Sequence, residues 1–133
     1  MTEKNDFGAV FARLKAMLRP YAKHCEVLHD TPSQYYLNTR FIMKNKQPLF
    51  FAAARIGKAY VSFHLMPVYA CPELLQGVSP ELKRRMQGLS CFNFKTVEEK
   101  LFKELAQLTK ASFARFNDEK FVNSLRLMQE RRR

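Results

Sequence analysis

Four side chains that could do chemistry lie within the apolar stretch QPLFFAAARIGKAYVSFHLMP at positions 47–67, namely Arg55, Tyr60, Ser62 and His64. An arginine guanidinium can pair with a carboxylate or phosphate through two parallel hydrogen bonds. An imidazole, with an ordinary pKa of about 6.5, can donate a hydrogen bond or carry a proton. Together these groups indicate either a binding surface for an anionic ligand or the solvent-exposed face of an ordinary sheet.

The elements that must position these residues are strands. From residue 34 to residue 66 the apolar side chains alternate with a period of two, which predicts three antiparallel strands. The predicted strands are residues 34–43, 48–56 and 59–66. The last connection is predicted as a tight two-residue turn, Gly57-Lys58, in which Gly57 takes a positive φ. These turns predict that Ile56 faces Ala59 and that Met43 faces Pro48.

The alternation sorts the side chains of this meander onto two faces. One face is almost wholly apolar and is predicted to meet the helices. The other collects aromatic, cationic and hydrogen-bonding groups, and its predicted ligand-binding set is Tyr36, Arg40, Phe51, Arg55, Tyr60, Ser62 and His64. Within that set, Phe51 is predicted to lie between Arg40 and His64 in one cross-strand row. This face is predicted to bind a small anionic ligand or a protein partner, or to pair with a second copy of the chain.

Helical signals flank the meander. Apolar spacing predicts an N-terminal helix over residues 5–21, capped by Asn5 or Asp6 and stopped by Pro20. A capping box, T-V-E-E, predicts that the longest helix opens at Thr96. The predicted shorter elements are a strand at 24–30, a helix beginning after Ser79, a strand at 90–94 and a helical segment after residue 117.

The sequence therefore predicts an α+β fold, in which a twisted antiparallel sheet of about five strands carries N- and C-terminal helices on one face. Residues 1–116 are predicted to form one domain. Residues 117–133 are predicted to form a basic C-terminal extension, helical at first and then frayed.

The charge balance predicts an attraction for polyanions. The chain has 23 Lys and Arg against 12 Asp and Glu, a net charge of +11. Nonspecific nucleic-acid binding is therefore an alternative function. The residues that would grip phosphates are Lys83, Arg84, Arg85, Arg131, Arg132 and Arg133. A basic, solvated surface with no such partner is the simpler interpretation.

Cysteine usage and motifs narrow the functional classes. Three widely separated cysteines without C-x-x-C predict buried free thiols and not a disulfide or zinc framework. The apolar runs are too short for a membrane span, and the N-terminus has no signal-peptide core, so a cytoplasmic protein with no membrane partner is expected. No catalytic signature is present, and Cys91 and His64 could approach only if their strands lie side by side.

We accordingly expect no enzymatic activity, no cofactor and no metal. The segment HCEVLHD, residues 24–30, is the nearest candidate for a metal site, because His24, Glu26 and Asp30 would share one face of a strand. Their spacing fits no named metal-binding motif, and a solvent-facing edge strand accounts for it equally well.

Three segments give the chain a resemblance to the YdhG-like family of small bacterial domains of unknown function. The segments are KNKQPLFFAAARIGKAYVSFHLMP, PELKRRMQGLSCFNF and TVEEKLFKELAQLTKASFARF. Family members typically show K-G-K, a strand ending in F-A-A and a strand of the I-S-L-H type, and this chain has KNK at the first pattern. The resemblance implies an α+β domain with helices on one side of an antiparallel sheet. It also implies a further alternative function, that of a frataxin-like iron chaperone, which would depend on acidic oxygen ligands.

Overall fold

The computed structural model describes the backbone of residues 6–131 and the side chains of residues 6–128. The α-helices are α1 (Phe7–Leu18), α2 (Met66–Ala70), α3 (Pro80–Lys83), α4 (Glu99–Phe116) and α5 (Glu119–Arg131). The strands are β1 (Cys25–Thr31), β2 (Gln34–Ile42), β3 (Pro48–Ile56), β4 (Val61–Leu65), β5 (Met86–Gln87) and β6 (Cys91–Phe94). Short 3₁₀ helices cover Arg19–His24 and Pro72–Leu75.

The strands form a single antiparallel sheet in the order β1-β2-β3-β4-β6-β5. The helices α1, α2 and α4 pack on one face of this sheet. The predicted α+β class, with N- and C-terminal helices on one side, is confirmed. The short strand β5 and the short helix α2 are elements that the sequence did not indicate.

Phenylalanine rings fill the space between the sheet and the helices. Phe63, Phe92 and Phe94 point inward from β4 and β6 and are almost completely buried. The ring of Phe94 meets the ring of Phe102 of α4 edge to face, with centroids 4.9 Å apart. Such contacts add to the free energy gained by burying the rings.

The helix starts confirm one predicted cap and correct another. The Asp6 carboxylate accepts a hydrogen bond from the backbone N–H of Ala9, so Asp6 caps α1 as predicted. The predicted start of α4 at Thr96 is wrong, because α4 begins at Glu99 and Glu98 holds the N-cap position. Glu99 does not close a capping box, since its carboxylate forms a two-point ion pair with Arg13 of α1 at 2.6 Å.

The turn between β3 and β4 differs from the predicted tight hairpin. Ile56 pairs with Val61 and not with Ala59, so residues 57–60 form the connection. The Gly57 N–H donates to the Tyr60 carbonyl at 2.9 Å, and Gly57 does not have a positive φ. A Cβ at Gly57 would lie 3.1 Å from that carbonyl, so close approach accounts for the glycine. The register moves by two residues, which leaves every β4 side chain on its predicted face.

A bulge in β3 changes which phenylalanine lies on which face. Leu37 pairs with Ala52, but the next residue, Asn38, pairs with Phe50, so Phe51 is the extra residue of the bulge. Phe51 is fully buried and its ring contacts Tyr21 and Phe113 among the helices, at centroid distances of 5.8 and 5.4 Å. The prediction that Phe51 lies on the ligand-binding face is therefore wrong, and Phe50 takes that place.

Helix α5 rests on the rest of the domain. Val122 is fully buried, and the Phe121 ring stacks on Phe116 with centroids 5.9 Å apart. The Arg126 Nε–H donates to the Ile42 carbonyl at 3.0 Å, which ties α5 to the end of β2. Within the described part of the chain, no helix is both long and apolar enough to cross a membrane.

Candidate functional site

The face of the sheet opposite the helices, called here the open face, carries a continuous line of four rings. This aromatic ladder consists of His29 on β1, Tyr36 on β2, Phe50 on β3 and His64 on β4. His29 and Tyr36 meet edge to face at 5.7 Å, Tyr36 and Phe50 stack at 4.6 Å, and Phe50 and His64 meet edge to face at 5.7 Å. These are the separations at which aromatic pairs attract one another.

The strand register places the ladder. Tyr36 pairs with His29 on one side and with Ala53 on the other, and Ala53 pairs with His64. The β3 residue in this row is alanine, whose methyl group leaves room for the Phe50 ring to contact both Tyr36 and His64. The bulge at Phe51 is what brings Phe50 to this face. The ladder therefore depends on pairings between four strands and on two irregularities, the bulge at Phe51 and a register shift between Val27 and His29 in β1.

The inner rings of the ladder, Tyr36, Phe50 and His64, are half-buried. Burial lowers the pKa of His64 below its ordinary value and raises the pKa of Tyr36. Both shifts favour uncharged rings at neutral pH. An uncharged, partly desolvated ring is a suitable partner for another flat ring.

A second row, called here the polar row, runs beside the ladder and consists of Arg55, Ser62 and Asn93. Arg55 pairs with Ser62 across β3 and β4, and Ser62 pairs with Asn93 across β4 and β6. The row lies two residues along β4 from His64, or about 7 Å. Arg55 is exposed and has no hydrogen-bond or ion-pair partner among the described residues. Its guanidinium is therefore free to meet an anion.

Hydrogen bonds hold the polar row in place at its β6 end. The Ser62 hydroxyl donates to Asn93 Oδ1 at 3.0 Å, and Asn93 Nδ2 donates to Gln87 Oε1 at 2.8 Å. The Tyr60 hydroxyl donates to the same Gln87 oxygen at 2.9 Å. This network orients Tyr60 and Asn93 on the loop and strand that border the open face.

A cavity of about 340 Å³ adjoins this network at the edge of the sheet. It is lined by Tyr60, Arg85, Asn93, Lys95, Thr96 and Glu98. Arg85 pairs with Glu98 at 2.8 Å, and its buried Nε–H has no partner among the described residues. Lys95 is exposed and adds a second positive charge, so the cavity is positive overall and could hold one anionic group.

The predicted set of ligand residues is only partly brought together. Tyr36, Arg55, Ser62 and His64 share the open face as predicted, and Tyr60 joins them from the loop through Gln87. The predicted row from Arg40 through Phe51 to His64 is wrong, because the residue in line with His64 on β2 is Tyr36.

Arg40 lies at the other end of β2. It is four residues, or about 13 Å of strand, from Tyr36. Its guanidinium donates to the Lys23 carbonyl at 3.3 Å and lies 3.6 Å from the Glu26 carboxylate. Arg40 is therefore engaged at the β1 edge of the sheet.

Cys91 and His64 lie directly opposite one another on paired strands. Burial raises the pKa of the Cys91 thiol and lowers the pKa of His64. Both directions favour a neutral thiol beside a neutral imidazole. A nucleophilic cysteine needs the opposite, a stabilised thiolate beside a cationic or basic partner.

The acidic and histidine residues near β1 disperse in the fold. The His24 ring lies against Phe113 with centroids 5.6 Å apart, Glu26 faces Arg40, and Asp30 pairs with Lys15 of α1 at 2.7 Å. Among the described residues, no three His, Cys, Asp or Glu side chains converge in a way that could hold a metal ion. The positions of these side chains therefore give no support to the iron-chaperone alternative.

The basic residues of the nucleic-acid alternative are also separated. Lys83 and Arg84 are exposed at the end of α3, whereas Arg85 is turned towards Glu98. The side chain of Arg131 and the whole of Arg132 and Arg133 lie outside the described residues.

Sequence reasoning missed several residues of this surface. Strict alternation predicts Phe50 on the helix side, opposite Phe51, and the predicted ligand-binding set contains none of His29, Gln87, Asn93 and Lys95. An apolar run such as PLFFAAA contains no sequence signal for the position of a bulge. The pairing of β6 with β4, which brings Asn93 and Cys91 to this face, joins residues about 30 apart and has no local signal.

The chain gives no significant match to any protein-family model, curated protein or solved structure. The resemblance to the YdhG-like family therefore stays a prediction. The class of the protein that follows from the fold and site is an α+β domain with one aromatic, cationic sheet face open to solvent.

Proposed function

We propose that the protein is a non-enzymatic binding module whose open face captures an anionic ligand that carries a flat aromatic ring. The observation that supports this most directly is the aromatic ladder beside Arg55, an arginine that has no partner among the described residues. The ladder supplies stacking surfaces, and Arg55 supplies a charge that nothing else in the described structure neutralises. Binding sites commonly combine apolar walls with a few placed polar groups.

The charge distribution of the sheet agrees with an anionic ligand. The strands contain two acidic residues, Glu26 and Asp30, and both are paired with basic groups. Arg55 and Lys95, in contrast, are exposed and have no described partner. An anion approaching the polar row or the cavity beside it would therefore meet no competing free carboxylate from the strands.

A binding role is favoured over catalysis by the state of the Cys91 thiol on this face. The directions of the Cys91 and His64 pKa shifts disfavour a thiolate at neutral pH. The described hydrogen bonds also give His64 no carboxylate that would orient it as a base.

Calorimetric titration with three small probes tests the proposal. Adenosine 5′-monophosphate carries both a ring and a phosphate, adenosine carries the ring alone, and ribose 5-phosphate carries the anion alone. The nucleotide is expected to bind more tightly than either fragment, because it can engage the ladder and Arg55 together. Equal binding of ribose 5-phosphate and the nucleotide would contradict a role for the rings.

Two matched arginine substitutions locate the binding. Arg55→Gln is expected to weaken nucleotide binding about tenfold, since charge-assisted hydrogen bonds contribute about 1.5–3 kcal/mol. Arg84→Gln removes the same charge from another exposed arginine, at the end of α3, and should leave binding unchanged. An equal effect of both substitutions would assign binding to general charge and not to the open face.

A further inference from the structure

The aromatic ladder is longer than a single ring needs. It crosses four strands, and at a strand spacing of about 4.8 Å this amounts to about 14 Å. A mononucleotide would cover only part of this length. The open face is also broad, with the ladder running from the edge strand β1 to β4 of a six-stranded sheet, whereas small-ligand sites enclose most of their ligand.

The polar row runs beside the ladder on β3 and β4 and continues onto β6, beyond the last ring of the ladder. Arg55 lies on β3, Lys58 is exposed in the loop that follows, and Lys95 comes directly after β6. Cationic groups therefore lie beside the β3 part of the ladder and beyond its β4 end. This arrangement matches a polymer in which flat rings project from a chain of regularly spaced anions.

We propose that the occupant of the open face is a single-stranded nucleic acid, whose unpaired bases stack on Tyr36, Phe50 and His64 while its phosphates follow the side of Arg55 and Lys95. This inference rests on the proposed function and names its ligand class. Base stacking on aromatic side chains is tolerant of sequence and contributes about 1–3 kcal/mol per base. The net charge of +11 supplies the long-range attraction that a polyanion requires.

The strand must be single, because only unpaired bases can leave their own stack and lie on a protein ring. No residue of the ladder or polar row distinguishes ribose from deoxyribose in an evident way. We therefore expect oligouridine and oligothymidine to bind with similar affinity and a duplex of the same length to bind more weakly.

The test is fluorescence anisotropy with labelled oligouridine and oligothymidine of about ten nucleotides, a length within the usual site sizes for single strands. The ring variants Tyr36→Leu and Phe50→Leu keep apolar bulk and remove the flat surface, and circular dichroism melting verifies that they fold. Each is expected to weaken binding about fivefold or more. Tyr69→Leu, which changes an exposed tyrosine on the helix side, should bind as the unchanged protein does.

The salt dependence of oligonucleotide affinity distinguishes binding at the open face from nonspecific attraction to the basic surface of the protein. Arg55→Gln should lower the slope of log affinity against log salt by about 0.7, the value expected for one phosphate contact on a single strand. Arg84→Gln should leave that slope unchanged. An Arg84→Gln effect equal to that of Arg55→Gln, together with intact binding by the ladder variants, would overturn the inference in favour of a basic-surface contact.

The remaining outcomes distinguish this inference from the proposed function. If adenosine 5′-monophosphate binds in a ladder-dependent way and oligonucleotides bind no more tightly, the inference is wrong and the proposed function stands. If neither probe binds, both are wrong. A duplex that binds as well as the single strands would also refute the inference, as would light scattering that shows a dimer dissociated by Phe50→Leu, because a second copy would then occupy the face.

Discussion

The two faces of the sheet are built from the same strands, but different interactions fix their side chains. On the helix side, Phe51, Phe63 and Phe94 are excluded from water, and their positions follow from packing against α1 and α4. On the open side, rings of similar size are only half-buried and pack on one another across strands. The comparison teaches that hydrophobic residue type alone does not assign a face, since Phe50 and Phe51 are neighbours and lie on opposite sides.

The largest expected effect comes from truncating these neighbouring phenylalanines. Phe51→Ala should lower the free energy of unfolding by about 3–5 kcal/mol, because it leaves a cavity between β3, Tyr21 and Phe113. Phe50→Ala should cost about 1 kcal/mol, the range of an aromatic pair on a solvated surface. Urea denaturation measures both. The reverse order would mean that the bulge is absent and that Phe51 belongs to the open face.

A smaller loss of unfolding free energy is expected when a polar contact on the helix side of the sheet is removed. The Glu104 carboxylate of α4 accepts hydrogen bonds from both the backbone N–H and the hydroxyl of Ser79, each at 2.6 Å. Glu104→Ala should therefore cost about 2 kcal/mol of unfolding free energy. Gln107→Ala, an exposed position on the same helix, serves as the control and should stay within about 0.5 kcal/mol of the unchanged protein. Similar losses for both would show that the Ser79 contact contributes nothing to stability.

The pH dependence of stability probes the open side. Burial lowers the folded-state pKa of His64, so the unfolded chain takes up a proton at a higher pH than the folded chain does. Stability is therefore expected to fall as pH drops through the ordinary histidine pKa of about 6.5 and to stop falling, for this residue, below the folded pKa. His64→Gln should flatten the pH profile of the melting temperature below about pH 7. An unchanged profile would mean that His64 is freely solvated.

The smallest expected effect is a difference in alkylation rate between the thiol on the open face and the two buried thiols. Burial raises the pKa of Cys25 to about 11 and also raises that of Cys91, so both thiols should alkylate slowly at neutral pH. Cys91, half-exposed on the open face, should react faster than the buried Cys25 and Cys71. Iodoacetamide labelling with peptide mass spectrometry measures the three rates. Unusually fast labelling of Cys91 would indicate a thiolate stabilised by His64, and a catalytic role would then have to be considered.

Local patterns in the sequence predicted much of this architecture. Alternation placed β2, β3 and β4 within about two residues, and it put Tyr36, Arg55, Ser62 and His64 on one face. The longer β3–β4 turn moved the register by two residues, an even number, so the β4 assignments survived. At the β2–β3 turn the predicted pairing of Met43 with Pro48 is wrong, because Pro48 faces Ile42, and the irregularities further along bring the shift to two at Tyr36. The start of α4 was missed because the ion pair between Glu99 and Arg13 is a tertiary contact.

The parts of the site that could not be predicted depend on long-range geometry. The bulge at Phe51 is favoured by packing against Tyr21 and Phe113, which are distant in sequence. The approach of Cys91 and Asn93 to β4 follows from sheet order, and His29 joins the ladder only through a second irregularity in β1. None of these features has a signature within a short window of residues.

The most direct test of a ligand surface on the open face is a ¹⁵N–¹H correlation spectrum recorded during titration with oligouridine. The account predicts that the largest shifts fall at Tyr36, Phe50, Arg55, His64 and Asn93, with little change in α3 and α5. Shifts confined to residues 83–85 and to α5, with the ladder unperturbed, would contradict it.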